Sequence, residues 1–486
     1  MSTYTTGEFA NGGPQLLSIL IPLFNEEDYI GTLIERALQA PLPNGLDREL
    51  IVVDDGSTDG SADIAMQAAA ANPDRIRYLR LAANQGKGAA IKRALTAARG
   101  DICIIQDSDL EYNPEEYSRV LEPLVEGAAD VVYGSRFATS GRRRVLYYWH
   151  RLANHLLTTF CNIVSDLNLT DIETGYKAFR TSLLRSIPIR SNRFGIEPEI
   201  TIKCAKRQAR FYEVPISYEG RTYLEGKKVG FRDAVAAFLV IVRFSFTNDL
   251  YVDRGAEILD AFSVAPRFNA WMAHTIRPFL GNRVLEIGAG MGNLTAHLSR
   301  SRKCYIATDV DPEHLFRLGN RTRHHVNLQA AMCDLSSASD FEPFRGEVDT
   351  VVCLNVLEHM EDDRACLRNI FNVLPPGGRA IILVPYGQEI YGALDEVLGH
   401  YRRYSHQELS SKLTDTGFAV RTILNFNRIS RPGWFIKGKV LKSDRLNRSQ
   451  IKLFDALVWL WRRVDAKLPW KPTSIIAIAE KPARSS

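Results

Sequence analysis

Apolar residues in this chain come in short runs that end on polar turns, and each turn leads into a stretch with helical spacing. Ser18-Ile-Leu-Ile-Pro22 is the first such run, and Phe24-Asn25-Glu26-Glu27 leaves it to open a helix reaching about Ala40. Glu49-Leu-Ile-Val-Val-Asp54-Asp55-Gly56 repeats the plan, with a helix expected over Ser61 to Ala71. Ile76 to Leu81 reads as a third strand, and Gly86-Lys87-Gly88 begins a third helix. Ile102 to Ile105 is a fourth strand, which runs out into Asp107, Asp109 and Glu111. Four apolar residues in a row fit a strand covered on both faces. Strands alternating with helices predict a parallel, doubly wound α/β sheet with ligands at the carboxyl ends of its strands.

Two longer apolar stretches, Val145 to Leu167 and Ala234 to Phe246, read as helices that suit a membrane surface or a packing partner. The pattern lapses between Thr247 and Asn282, then a second series begins. Val284-Leu-Glu286-Ile287 is followed by Gly288, Gly290 and Gly292, and the next strand ends at Asp309. Further on come Asp334, the strand Thr350 to Leu354 with Asn355-Val-Leu-Glu358-His359 after it, and strands over Arg379 to Val384, Ala419 to Phe426 and Ser474 to Glu480. The chain therefore divides into a disordered terminus over 1–16, a first domain over 17–250, a linker with leading helices over 251–282, and a second domain over 283–481. The second domain carries an insertion over 427–472.

Composition narrows the class. With 486 residues, 45% hydrophobic and 24% charged, the chain has room for two or three ordinary globular domains. A formal charge of +5 argues against nucleic acid as the main partner. Seven scattered cysteines suggest neither a disulfide framework nor a cysteine zinc site, and fit a cytoplasmic setting. No signal peptide or membrane-spanning run is expected. The insertion is different: Arg431 to Lys471 holds eleven Lys or Arg against three Asp, with Trp434, Trp459, Trp461 and Trp470 among them. That mixture suits peripheral attachment to an anionic membrane, on its inner face, or a cap over a substrate.

The polar turns of the first series gather on one sheet edge. Carboxylates at Glu26, Asp54 and Asp55, with Asn25, suit ribose and sugar hydroxyls, while Lys87 and a cation suit phosphate oxygens. Asp107 and Asp109, one residue apart in a turn, can both reach one Mg²⁺ or Mn²⁺ shared with a diphosphate. Arg136, Arg221, Lys227 and Lys228 lie in glycine-containing loops able to close over phosphates. A hydroxyl acceptor would need a base, for which Asp171 and Glu173 are the candidates; a phosphate acceptor needs none.

Seven strings carry a resemblance: SILIPLFNEE, VVDDGSTDG, NQGKGAAIKRA, DSDLEYNP, YGSRF, ETGYKAFR and FYEVPISYEGRTYLEGKK. In this order, over about Leu17 to Ser245, they resemble family 2 glycosyltransferases, in the branch of the dolichyl-phosphate mannose and glucose synthases. The resemblance implies a GT-A fold and inverting transfer from a nucleotide-sugar, GDP- or UDP-linked, to a polyprenyl phosphate, with an envelope glycan hydroxyl as the alternative. It places Asp54 and Asp55 at the nucleotide, and Asp107, Asp109 and Glu111 at the metal. Glu111 stands where related enzymes often have Gln.

The second series, with VLEIGAG, the spacing GxGxG and NVLEH, is similar to class I methyltransferases rather than to Rossmann dehydrogenases. That similarity implies a Rossmann-like fold binding S-adenosylmethionine through Glu286, Gly288, Gly290, Gly292 and Asp309, with Asp334 near the adenine and Asn355 on the same edge. His359 and His400 are candidates for a general base, and Tyr401-Arg402-Arg403-Tyr404 for orienting a substrate. The expectation is a bifunctional enzyme. Its rivals are a glycosyltransferase with an S-adenosylmethionine-sensing domain, and a scaffold with no turnover.

Overall fold

The computed structural model describes residues 15–43, 45–138, 148–220, 231–246, 249–252, 265–311, 314–315, 318–319, 325–441 and 448–483. Arg221, Lys227 and Lys228 lie outside the described residues, as does most of the expected disordered terminus. Its last two residues belong to the fold, since the Gln15 and Leu16 amides both donate to Asp101 (2.9 and 3.2 Å). The chain separates into two compact units between Val252 and Asp253.

The first unit runs β1 (Leu16–Leu23), α1 (Ile30–Gln39), β2 (Asp47–Asp54), α2 (Ser61–Ala71), β3 (Ile76–Arg80), α3 (Lys87–Ala97), β4 (Ile102–Ile105), α4 (Tyr117–Val125), β5 (Val131–Ser135), α5 (Tyr148–Ser165), β6 (Lys177–Arg180), α6 (Thr181–Arg185), α7 (Ile196–Lys206), β7 (Phe211–Pro215) and α8 (Phe231–Ser245). Its seven-stranded sheet has the order β3-β2-β1-β4-β6-β5-β7. Leu17, Ile19 and Ile21 face one core with α1 and α4, while Leu20, Ile51 and Val53 face the other with α3 and α7. Both faces are covered, which is why these strands read as unbroken apolar runs.

The sheet is mixed rather than parallel throughout, because β6 runs antiparallel to β4 and β5. The reason is local. Gly175, just before β6, lies against Asp107, just after β4. A strand that begins at the edge where its neighbour ends must run back down.

The second unit holds α9 (Pro266–Ile276), β8 (Arg283–Ile287), α10 (Thr295–Leu298), β9 (Cys304–Asp309), β10 (Leu328–Met332), β11 (Thr350–Leu354), α11 (Asp363–Val373), β12 (Arg379–Pro385), α12 (Ala393–Leu398), α13 (His406–Thr416), β13 (Ala419–Phe426) and β14 (Ser474–Glu480). The order is β10-β9-β8-β11-β12-β14-β13, with β14 antiparallel to both neighbours. The insertion leaves at Phe426 and returns at Ser474, which pair across β13 and β14. It carries α14 (Arg431–Phe435), α15 (Arg448–Ala456) and α16 (Val458–Val464). Val458 and Trp461 pack into the core that also holds Phe268 and Trp271 of α9. All seven cysteines are free thiols. No described helix is long and apolar enough to cross a membrane.

Candidate active sites

In the first unit the turn after β4 presents Asp107 and Asp109 at the carboxyl edge. One Asp107 oxygen lies 2.8 Å from the Lys87 ammonium, which also meets Glu197 at 3.1 Å. The other oxygen comes so near Gly175 that a Cβ there would stand 2.2 Å away, so only glycine fits. Burial opposes the Lys87 charge, yet the two carboxylates outweigh it and hold the ammonium well above the usual lysine range. Lys87 thus positions Asp107 on the sheet edge where it is expected to meet a phosphate. Asp109 accepts from the Glu111 amide (3.2 Å), and the Tyr218 hydroxyl donates to Glu111 (2.7 Å).

The acids after β2 are also engaged within the protein. Asp54 is fully buried and accepts from the Ser57 amide (2.8 Å) and the Tyr78 hydroxyl (3.0 Å), with Arg80 at 3.2 Å. Asp55 accepts from the amides of Gln85 (2.8 Å) and Gly86 (2.7 Å), tying the β2 turn to the start of α3. Both acids, expected at the nucleotide, are thus held in place by the protein itself. Asn25 accepts from the Thr58 amide (2.9 Å), and the Glu26 amide donates to Ser61 (2.8 Å). Acidic turns on neighbouring strands lace to each other because each leaves amides with no partner in the sheet.

Arg136 and Asp171 form a two-pronged pair, Nε to one oxygen at 2.6 Å and the guanidinium NH2 to the other at 2.8 Å. Asp171 is fully buried and also accepts from Asn154 (3.2 Å). Burial works against the Arg136 charge, but Asp171 prevails and raises its pKa further. Asp171, expected as a candidate base, is thus engaged on both oxygens within the protein. Nearby, one oxygen each of Glu173 and Glu197 is buried with no hydrogen-bond partner among the described residues. Burial, reinforced by Glu197, raises the Glu173 pKa, and burial lowers that of its neighbour Lys177. Glu197 escaped the sequence reading, although Ile196-Glu-Pro-Glu-Ile200 puts two acids inside an apolar helix start, a signal that they face inward toward cations.

In the second unit the glycine loop follows β8. Gly290 adopts φ 54°, and the place where its Cβ would stand is open space. Its amide donates to Asp309 (2.7 Å), which also meets the Asp311 amide (3.0 Å) and His314 (3.3 Å). Although burial pushes the other way, these donors hold Asp309 below the usual carboxylate range. Glu286 differs: Thr295 (2.6 Å) and Tyr305 (3.0 Å) donate to one of its oxygens inside the fold. It braces the loop from behind, and burial pushes its pKa up to about 7. Asp334 accepts from Ser336, and Asn355 sits at the exposed end of β11 with φ 55°.

Beyond Asn355, Glu358, His359 and His400 come together, each offering an atom within 4.8 Å of the others. The imidazoles meet edge to face at 4.8 Å. Burial pushes Glu358 up to about 8 and, with His400, lowers His359 to about 4.

A family model described as glycosyl transferase family 2 matches residues 18–187. The undecaprenyl-phosphate mannosyltransferase of Micrococcus luteus is 31% identical over 217 residues, covering 43% of this chain and 86% of that protein. The chain belongs to glycosyl transferase family 2. The polyprenol monophosphomannose synthase of Mycolicibacterium smegmatis is 29% identical, over 46% of this glycosyltransferase chain and 84% of that protein. A methyltransferase domain model matches residues 285–380, so the second unit adds a methyltransferase domain. Among solved structures, the glucosyl-3-phosphoglycerate synthase of Mycobacterium tuberculosis has a TM-score of 0.37 at 23% identity, over 48% of this chain and 79% of that one. A putative methyltransferase crystallised with the Haloferax volcanii Trm112 activator has a TM-score of 0.34 at 18% identity, over 48% and 95%. The chain is thus an enzyme in which a GT-A-like glycosyltransferase unit is fused to a Rossmann-like methyltransferase unit.

Proposed function

We propose that the glycosyltransferase unit moves a sugar from a GDP- or UDP-linked donor to a polyprenyl phosphate, and that the other unit transfers methyl from S-adenosylmethionine. The observation that carries the acceptor is the Arg136–Asp171 fork. A hydroxyl acceptor has to lose a proton as it attacks, and the acid in that loop best placed to take one is saturated by a guanidinium. A phosphate oxygen is already anionic and attacks without a base. The names of the two bacterial relatives, an undecaprenyl-phosphate mannosyltransferase and a polyprenol monophosphomannose synthase, agree with this acceptor.

The oxygen donors in the turn after β4 fit a hard cation. Mg²⁺ bound with a diphosphate takes only one or two protein carboxylates, here Asp109 and Asp107. When bound, Mg²⁺ or Mn²⁺ would neutralise the departing diphosphate. Lys87, itself paired with Glu197, fixes Asp107, Tyr218 fixes Glu111, and the Arg136 fork ties the end of β5 to the loop that holds Asp171. In the methyltransferase unit the open space at Gly290 and the Asp309 carboxylate beside it fit a nucleoside with two ribose hydroxyls.

Two surfaces suit peripheral membrane contact, α5 with α8 and the insertion. Phe160 of α5 stacks on Phe238 of α8 at 4.9 Å, and the pair leaves Trp149, Ile163 and Leu239 exposed. In the insertion Trp461 packs in the core and Trp434 reaches toward Asp395 (3.4 Å), while Trp459, Val440, Leu441 and Leu453 are exposed.

The test is incubation of the full chain with Mg²⁺ or Mn²⁺, undecaprenyl phosphate, and GDP- and UDP-linked sugars carrying a radiolabel. Label in an acid-labile, butanol-soluble lipid is expected. Transfer to a hydroxyl acceptor in preference to the lipid phosphate would overturn the assignment.

A further inference from the structure

Within the methyltransferase unit, Glu358 is completely buried, and both of its carboxylate oxygens lack a hydrogen-bond partner among the described residues. A buried carboxylate left in this state is costly unless something cationic completes it. What faces it is an imidazole held from its other side. Nδ1 of His400 lies 2.9 Å from Asp395, which in turn accepts from Arg403 (2.8 Å) and the Gly392 amide (3.1 Å). With Nδ1 engaged in this way, Nε2 faces Glu358 across 3.9 Å, beyond hydrogen-bond reach. A nitrogen of His359 completes the trio within 4.8 Å.

We propose that Glu358, His359 and His400 bind a divalent first-row transition ion, with Zn²⁺ as its simplest representative. Two imidazoles and one carboxylate are a borderline donor set, which suits Zn²⁺, Fe²⁺ or Co²⁺ and not Ca²⁺. Ligand bonds of about 2.0–2.2 Å put neighbouring donors between three and four ångströms apart, so the 3.9 Å gap closes with little movement. Asp395 supplies the outer carboxylate that metal-bound histidines usually have. Three protein ligands leave at least one coordination position open. The segment bearing the first two also borders the glycine loop, since a Cβ on Gly288 would collide with Val356 (2.2 Å). An ion here would hold an oxygen of the methyl acceptor beside the cofactor loop. This last step rests on the methyl-transfer reading; binding of the ion does not.

The experiment uses full-length, chelator-treated protein with Asp107→Asn and Asp109→Asn, which removes the acidic site of the other unit. Calorimetric titration with Zn²⁺ should give one ion per chain, and Co²⁺ in its place should develop visible absorption bands. Adding His400→Ala or Glu358→Gln should weaken Zn²⁺ binding by roughly a hundredfold or more. His359→Asn is a third probe, at a less buried position, should either of the others unfold. Circular dichroism and S-adenosylmethionine titration check that each variant is folded. No binding by the folded parent, or binding unchanged in the folded variants, overturns the site. If the ion binds but chelation leaves methyl transfer intact, the acceptor role is overturned while the site stands.

Discussion

The ligand edges of the two units differ in how much of their buried charge is paired. In the glycosyltransferase unit most of the acids meet a cation: Asp107 and Glu197 share Lys87, Asp171 has Arg136 and Asp54 has Arg80, with Glu173 the exception. In the methyltransferase unit Asp395 meets Arg403, but Glu286 has only neutral donors, and Glu358 has no hydrogen-bond partner among the described residues. A matched edge is organised before any ligand arrives, so its geometry survives without one. An unmatched edge favours neutral carboxyl groups or an arriving cation.

The largest effect expected from breaking this contrast is at Asp109. Asp109→Asn should lower sugar transfer by about 10³-fold, or about 4 kcal/mol of transition-state stabilisation, with methyl transfer unchanged. Equal losses in both assays would mean that the units do not work independently. Next is Arg136→Met, which strands the buried Asp171 and should destabilise the glycosyltransferase unit by about 3 kcal/mol, read as a lower denaturation midpoint. Asp171→Asn keeps an acceptor for the guanidinium and should lose much less sugar transfer than removal of a base would cause. In the other unit, Asp309→Ala should weaken S-adenosylmethionine binding by about 2 kcal/mol in calorimetry while sugar transfer stays within twofold.

A smaller effect, and one with a sign, comes from Glu286. Its carboxyl pKa is raised in the fold to about 7 from an ordinary 4.5. The stabilisation from its protonated form is therefore full below about pH 4.5 and is lost as pH rises through about 7. Glu286→Gln mimics that form, so its melting temperature should exceed the parent's at pH 8, by the equivalent of about 2 kcal/mol, and match it near pH 4.5. A constant offset at every pH would show that Glu286 does not titrate. The smallest effect concerns the membrane: Trp149→Ser with Leu239→Ser should reduce co-sedimentation with anionic vesicles more than Trp459→Ser does. The opposite ranking would assign that role to the insertion.

Strand ends were the most legible part of the sequence. Apolar runs stopping at Asp54, Asp107, Asp309 and Asn355 marked where the strands leave the sheet, because a strand covered on both faces admits few polar residues before it ends. Less legible was what each acid does there. Asp54 and Asp55 read as nucleotide contacts and Asp171 as a candidate base, and nothing in their spacing announced the amides, tyrosine and arginines that hold them in the fold. Such partners are set by folding, not by spacing. Strand direction was hidden too, since Lys177–Arg180 and Ser474–Glu480 look the same whichever way they run. The basic insertion read as one surface, yet it divides: Trp459 and Leu453 are exposed, while tertiary packing draws Val458 and Trp461 inward.

The mouth of that insertion has a consequence for how this architecture can change. Phe426 and Ser474 are held opposite each other by strand pairing, one strand spacing apart at about 4.8 Å. Whatever lies between them closes a loop whose ends are already together, and closure entropy grows only slowly with length. The hairpin therefore works as a socket. Segments of different length can join these two residues without shifting the register of β13 on β14, provided that they supply what Val458 and Trp461 give to the core beside α9.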